Sequence, residues 1–287
     1  MLRSMYSGIS GMKNFQTKLD VIGNNISNVN TYGFKKGRTT FKDLVSQQIA
    51  GASAPGADRG GVNPKQVGLG SQIGTIDTIH TSGSIQPTGR PLDLAISGEG
   101  FFTVANGADG QTIDRPLYTR AGNFYLDEGG NIVTAEGLYL IGSVYDVNGN
   151  ETEFIGAINI PDTAKSFSIG QDGVVNYVDS DGALQIAGRV RLAKFSNNDG
   201  LEKVGGNLFA ETANSGSAKV DGTEFFDLSE PGVNGTGTLV SSALEMSNVD
   251  LSEEFTEMIV SQRGFQANTR IITTSDEILQ ELVNLKR

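Results

Sequence analysis

The sequence predicts a mainly β protein with α-helical termini, in which a central all-β domain of short strands sits between two long helices that pair as a coiled coil. Three observations predict this. Glycine is confined to the middle: of 38 glycines, 5 lie in residues 1–50, 32 in 51–239 and only Gly264 beyond. Apolar residues recur at spacings of three and four at both ends, the period of a helix face. In the middle they alternate and are broken by Asn-Gly and Asp-Gly pairs, the signature of hairpins.

At the start, Leu2, Met5, Ile9, Met12, Gln16, Leu19, Gly23 and Ile26 form a stripe in which six of the eight are apolar. Gly23-Asn24-Asn25 is expected to weaken this helix, because asparagine competes for backbone hydrogen bonds. Val29–Phe34 reads as its exit. At the other end the series runs Leu251, Phe255, Met258, Gln262, Phe265, Thr269, Ile272, Asp276, Leu279, Val283, widened by Ile259, Ile278, Leu282 and Leu285. Asp250 with Glu253 three residues on is a capping-box pattern. Acids at 253, 254 and 257 and bases at 286 and 287 suit the helix dipole. A helix of about 35 residues is about 50 Å long and needs a partner along its length. The stripes are wider than one pairing requires, so they are expected to be self-assembly surfaces shared with further copies.

Between the helices, the expected strands include Thr75–Ile79, Leu92–Ile96, Phe101–Val104 and Phe124–Leu126, with turns at Asn148-Gly149, Asp172-Gly173 and Asp181-Gly182. The division expected is a terminal helical domain (1–32 and 248–287), linker or arm segments (33–72 and 231–247) and a central β-rich domain (73–230).

The net charge of -11 is unevenly spread: +5 over residues 1–50, -12 over 51–239 and -4 over 240–287. An acidic chain repels phosphate, so nucleic acid is not an expected partner. The basic cluster Lys35, Lys36, Arg38 and Lys42 reads either as a solvated segment or as a contact surface for acidic neighbours. There are no cysteines and one histidine, His80, which excludes disulfides, thiolate metal sites and multi-histidine sites. Residues 146–150 and 179–182 invite a calcium reading, but neither has both the Gly and the Glu of an EF-hand loop, and turns are the better assignment. No phosphate-binding or dinucleotide motif occurs, and Ser10 lies in no nucleophile elbow. His80, at the end of a strand, reads as a surface or half-buried side chain. No catalytic, cofactor or metal site is therefore expected. Neither a membrane span nor a cleaved secretory signal is predicted, since polar residues interrupt every apolar run.

Four segments carry a family resemblance. The segment from Asp20 to Lys35, with Asn24, Asn25, Asn28, Asn30, Gly33, Phe34 and Lys35, resembles the N-terminal signature of the bacterial flagellar rod and hook proteins. Gly89–Phe102 is similar to the family's central motif and Tyr118–Phe124 follows it. Ser247–Leu251 with Met258–Asn268 resembles the C-terminal motif. The resemblance implies a structural, non-enzymatic subunit that polymerises helically with itself. It implies export without a cleaved signal through the flagellar type III apparatus, and a place in the flagellum outside the cell. It also implies contacts with rod and hook–filament junction proteins and, during assembly, with a hook cap. Tyr32–Lys35, the Gly89-Arg90 entry and the Leu282–Leu285 ending favour a torque-transmitting hook subunit of the compact form found in some Gram-positive bacteria. The length is short for a hook subunit, which often has an extra outer β-domain, so the distal rod subunit is the alternative. A secreted enzyme using His80 is a more distant one.

Overall fold

The computed structural model describes residues 2–56, 60–107, 114–145, 151–216 and 228–285. They form two compact units. The first comprises the chain up to Ser27, Gly37–Ile79 and Val249 onward; the second comprises Asn28–Lys36 and His80–Asn248.

In the first unit, helix α1 (Leu2–Ser27) packs along helix α2 (Leu251–Asn284). The Asp250 side chain caps α2 by accepting the N–H groups of Ser252 and Glu253, as its position before two glutamates predicts. The bases expected at its far end, 286 and 287, lie outside the described residues. The most buried positions of α2 in the seam between the helices are small or polar. On α2, Glu254, Ser261 and Ser275 are buried. A Cβ on Gly264 would stand 2.6–2.8 Å from the Phe15 ring, and one on Gly11 2.9–3.0 Å from the Asn268 amide. The glycines thus set how closely the backbones approach. Lys18 and Glu257 pair across the helices.

Contrary to the expectation at Gly23-Asn24-Asn25, α1 continues unbroken to Ser27. Asn25 is satisfied from outside the helix. Its Nδ2 donates to the Gly37 carbonyl at 2.9 Å and to Glu254 Oε2 at 3.2 Å, and its Oδ1 accepts the Gly37 N–H at 2.9 Å. A side chain paired with another segment's backbone no longer competes with its own.

Residues 37–78 are more ordered than an arm of low periodicity suggests. Gly37–Asp43 pairs antiparallel with Ser71–Thr78, and Gln47–Ala50 with Lys65–Val67. Ser71–Thr78 thereby falls in the helical unit, although residues from 73 on were expected in the β domain. Phe41 meets Phe15 edge-on at 6.0 Å, and Asn14 Nδ2 donates to Ser71 Oγ at 2.8 Å.

The second unit is built on an antiparallel sheet with twelve strands among the described residues. Its path runs Ser166–Ile169, Val174–Val178, Leu184–Val190, Tyr139–Tyr145, Phe101–Asn106, Asp114–Thr119, Leu208–Ala210, Glu202–Gly205. Successive strand residues point to opposite faces, and both faces here are covered. Phe102, Val104 and Leu140 enter one apolar cluster; Phe101, Ala105 and Ile141 enter another. The hairpin glycines Gly173 and Gly182 have φ of +82° and +83°, the left-handed conformation such turns require. Asp179 Oδ1 accepts the Ser180 N–H in the second of these turns, which is the turn reading of that segment. The Asn148-Gly149 turn, and the other acidic candidate at 146–150, lie outside the described residues.

Candidate assembly surface and the anchored N-terminal signature

The predicted C-terminal stripe divides in two. Met258, Phe265, Ile272 and Leu279 are half-buried beside α1, whereas Leu251, Phe255 and Val283 are exposed, the last at 66%. The buried positions alternating with the first four are Glu254, Ser261 and Ser275, each one residue before Phe255, Gln262 and Asp276. The seam is therefore rotated by one residue from the stripe of largest side chains. Phe255, Ile259, Val260, Ile278, Leu282 and Val283 are left facing outward on α2, each at least 47% exposed. On α1, Met5, Ile9, Met12, Leu19 and Ile26 are half-buried and Ile22 is buried; the side chain of Leu2 lies outside the described set. No helix among the described residues is long and apolar enough to cross a membrane, and no three acidic or histidine side chains among them are grouped to hold a metal ion.

The N-terminal signature lies in two places. Asn24 and Asn25 belong to α1. Asn28, Asn30, Gly33, Phe34 and Lys35 belong to the second unit, where the chain turns sharply: the Thr31 hydroxyl donates to Asn28 Oδ1 and the Phe34 N–H to the Thr31 carbonyl. Asn30 is exposed. Gly33 has φ +68° and donates its N–H to the Glu245 carbonyl at 2.8 Å. A Cβ there would stand 2.6 Å from both the Ala121 nitrogen and the Arg120 carbonyl carbon. Only glycine meets both demands. Phe34 is buried under the Lys203 ammonium, 5.1 Å from the ring centre, a cation–π contact.

Lys35 is a correction to the sequence reading. It is not part of a basic contact surface, because its side chain is fully buried. Its Nζ donates to Glu245 Oε1 at 2.6 Å and to the Thr81 carbonyl at 2.8 Å. Arg120, also buried, donates to Glu245 Oε2 at 3.1 Å and to the Gly98 carbonyl at 2.8 Å. Burial holds the Lys35 ammonium below its usual range; Glu245 opposes this and Arg120 adds to it. Arg120 is likewise lowered by burial and held up chiefly by Glu245. One carboxylate thus pairs with two buried cations and offsets one of their two charges, and the carbonyls of Thr81 and Gly98 take further donors of the two. Of the other bases, Arg38 pairs with Asp77 at 3.5 Å, the Lys36 N–H donates to Asn248 Oδ1 at 2.8 Å, and Lys42 is exposed.

Arg120 and Glu245 were missed as site residues. Arg120 sits in a quoted motif, and its signal is a lone charge among small and aromatic residues. Glu245 closes the apolar strand Ala243–Glu245, where a single acid in a buried strand calls for a partner. A related polar anchor lies nearby in the sequence. Arg90 donates to Asp93 Oδ1 at 3.3 Å and to the Phe124 carbonyl at 2.7 Å, joining the Gly89–Phe102 and Tyr118–Phe124 motifs.

His80 carries no catalytic arrangement. Its ring packs against Phe101 and Phe209, which also touch each other, with centroids at 5.6, 5.5 and 5.7 Å, and both ring nitrogens are buried without a hydrogen-bond partner among the described residues.

Comparison with known proteins agrees with this architecture. The family described as the flagella basal body rod protein matches residues 5–35, the flagellar hook protein FlgE/F/G D1 domain matches 95–177, and the flagellar basal body rod FlgEFG protein C-terminal matches 240–285. The flagellar basal-body rod protein FlgG of Bacillus subtilis is 60% identical over the full length of both chains. That of Caulobacter vibrioides is 37% identical over 99% of this chain and all of the relative. The flagellar hook protein FlgE of Borreliella burgdorferi is 31% identical in an alignment of 455 positions that covers both chains. With both terminal regions and the β unit matched, the chain belongs to the family of flagellar rod and hook proteins.

Proposed function

We propose that this chain is the distal rod subunit of the flagellar basal body, a structural element that polymerises with itself and carries torque without performing catalysis. The observation that carries this reading is collinearity. The rod relative matches over 287 positions at 60% identity, whereas the hook relative needs 455 positions and so has long insertions that this chain lacks. This reverses the order of the two readings drawn from the sequence, where short motifs favoured the hook. Of those motifs, Tyr32–Lys35 lies in the segment matched by the rod protein model and Leu282–Leu285 in the one matched by the FlgEFG C-terminal model, so neither singles out the hook, and Gly89-Arg90 lies outside the matched segments.

In this role the outward residues of α2 are the axial contacts between copies. Phe255, Ile259 and Val260 near the start of α2 and Ile278, Leu282 and Val283 near its end are exposed apolar side chains, and their burial supplies about 25 cal/mol per Å². The partners are further copies and the neighbouring rod and hook subunits. Export through the flagellar apparatus without a cleaved signal belongs to the same reading, as does a final location beyond the inner membrane.

Electron microscopy of basal bodies from a strain lacking the gene tests the assignment. An incomplete rod is the expected result, whereas a complete rod that merely lacks a hook would restore the hook reading. For the surface, Ile259→Glu with Val283→Glu should leave the monomer's helical circular dichroism unchanged and stop polymerisation. Normal polymers from this double variant would remove α2 from the interface.

A further inference from the structure

His80 has no part in the assembly reading, yet its surroundings are specific. Both nitrogens are inaccessible and unpartnered among the described residues, and the touching rings of Phe101 and Phe209 pack against the imidazole. The charged groups around it are mostly cations. Lys35 comes from the N-terminal signature, Arg120 from the end of the Asp114–Thr119 strand and Lys203 from the Glu202–Gly205 strand. The carboxylate of this cluster, Glu245, is already engaged by Lys35, Arg120 and the Gly83 N–H. A proton on His80 would thus enter an apolar slot beside three positive charges.

The residues that follow His80 form a strap over the ion cluster. The Thr81 carbonyl accepts from Lys35 Nζ, the Thr81 hydroxyl accepts from Asn248 Nδ2 at 3.0 Å, and the Gly83 N–H donates to Glu245 Oε1 at 2.9 Å. A Cβ on Gly83 would fall onto the Met246 carbonyl, so the strap lies flat against the backbone after the Ala243–Glu245 strand. His80 begins this strap and packs its ring against Phe101 and Phe209.

We propose that His80 is an acid-sensitive latch: the neutral imidazole seats the segment His80–Gly83 over the Lys35–Glu245–Arg120 cluster, and protonation expels the ring and releases the strap. Burial first, then Lys35, Arg120 and Lys203, lower its pKa to about 4 from 6.5. A group so depressed contributes stability that is complete above about pH 6.5 and is lost as pH falls toward about 4. Between pH 7.5 and 5 these two values raise the population of the open strap about 30-fold.

His80 is the only histidine in the chain, so its imidazole resonance can be followed by NMR in the unaltered full-length protein. The expected result is a ring that stays neutral at pH 5.5, with the protection factor of the Gly83 amide falling about 30-fold from pH 7.5 to 5. Normal titration near pH 6.5 with Gly83 protection unchanged would overturn the proposal. His80→Phe and His80→Leu fill the slot without titrating. In whichever of them folds, Gly83 protection should be independent of pH over this range. A loss equal to that of the parent protein would assign the opening to another group and refute the latch.

Discussion

Replacing Glu245 by glutamine tests the ion cluster most sharply. In the parent protein the carboxylate accepts from Lys35 at 2.6 Å, from Gly83 at 2.9 Å and from Arg120 at 3.1 Å. Both cations are essentially removed from solvent, with side-chain exposures of 0% and 3%. Glutamine keeps the shape but removes the charge, and its NH2 group faces donors where an acceptor stood. Leaving buried charge uncompensated costs about 3–5 kcal/mol, a large part of the ~5–15 kcal/mol that holds a domain folded. For a unit of this size the midpoint of thermal unfolding should fall by roughly 6–20 °C. Lys35→Met should cost less, because Glu245 and Arg120 remain paired. Only the lysine's own hydrogen bonds are lost, about 1–3 kcal/mol. The pH dependence adds a second signature. Without Glu245 the Lys35 ammonium, already lowered by burial, is lowered further. The unfolded chain then binds the extra proton, so the deficit of Glu245→Gln should shrink as pH rises toward the lysine's ordinary value of 10.5. Urea unfolding followed by far-ultraviolet circular dichroism, at pH 7 and pH 9.5, measures all three quantities. A cost below about 1 kcal/mol, or one no larger than that of Lys35→Met, would refute the view that Glu245 holds both cations.

Gly33→Ala should destabilise the second unit by about 1–3 kcal/mol, since φ is +68° and the added methyl meets the backbone at Arg120 and Ala121; equilibrium unfolding at unchanged helix content checks it. Gly264→Leu should gain about 1 kcal/mol of helix propensity but lose more by driving its side chain into the Phe15 ring, and a lower thermal midpoint for the helical signal is the expected net result. Asp250→Ala removes the acceptor for the Ser252 and Glu253 N–H groups and should cost about 1 kcal/mol, read as increased amide exchange in the first turn of α2.

The helices and hairpins were legible in the sequence because their signals are local. A cap at Asp250, turn glycines at 173 and 182, and alternating apolar strands all act within a few residues. The seam was legible only by half. Hydrophobic periodicity follows the largest side chains, and of the stripe those mark, Met258, Phe265, Ile272 and Leu279 are half-buried. The other half of the seam is small and polar, Glu254, Ser261 and Ser275, and apolarity passes over it to Phe255 and Val283. Asn25 misled for a related reason: a helix breaker by propensity becomes neutral when a distant backbone, that of Gly37, takes its amide. The ion cluster was not legible because its partners are 210 and 125 positions apart in the chain. No local pattern encodes such a pairing; only an isolated charge in an apolar setting hints at it.

The division of charge along the chain takes on a different meaning once these partners are known. A basic start and an acidic middle suggested attraction between neighbouring copies. Much of that complementarity is used within one molecule: Lys18 with Glu257 in the helix pair, Arg38 with Asp77 in the strand pair, Lys35 with Glu245 in the β unit. Pairs satisfied internally offer little to a neighbour, and exposed pairs are weak and screened by salt. What α2 leaves exposed besides its polar residues is a set of large apolar side chains, Phe255, Ile259 and Val260 near its start and Ile278, Leu282 and Val283 near its end. The seam mixes small residues with half-buried large ones, and its close approach rests on the small ones at Gly11 and Gly264. Enlarging the seam at Gly264 therefore acts on the fold of one subunit, while charging the exposed side chain at Ile259 should act on the polymer, and the two effects should separate cleanly.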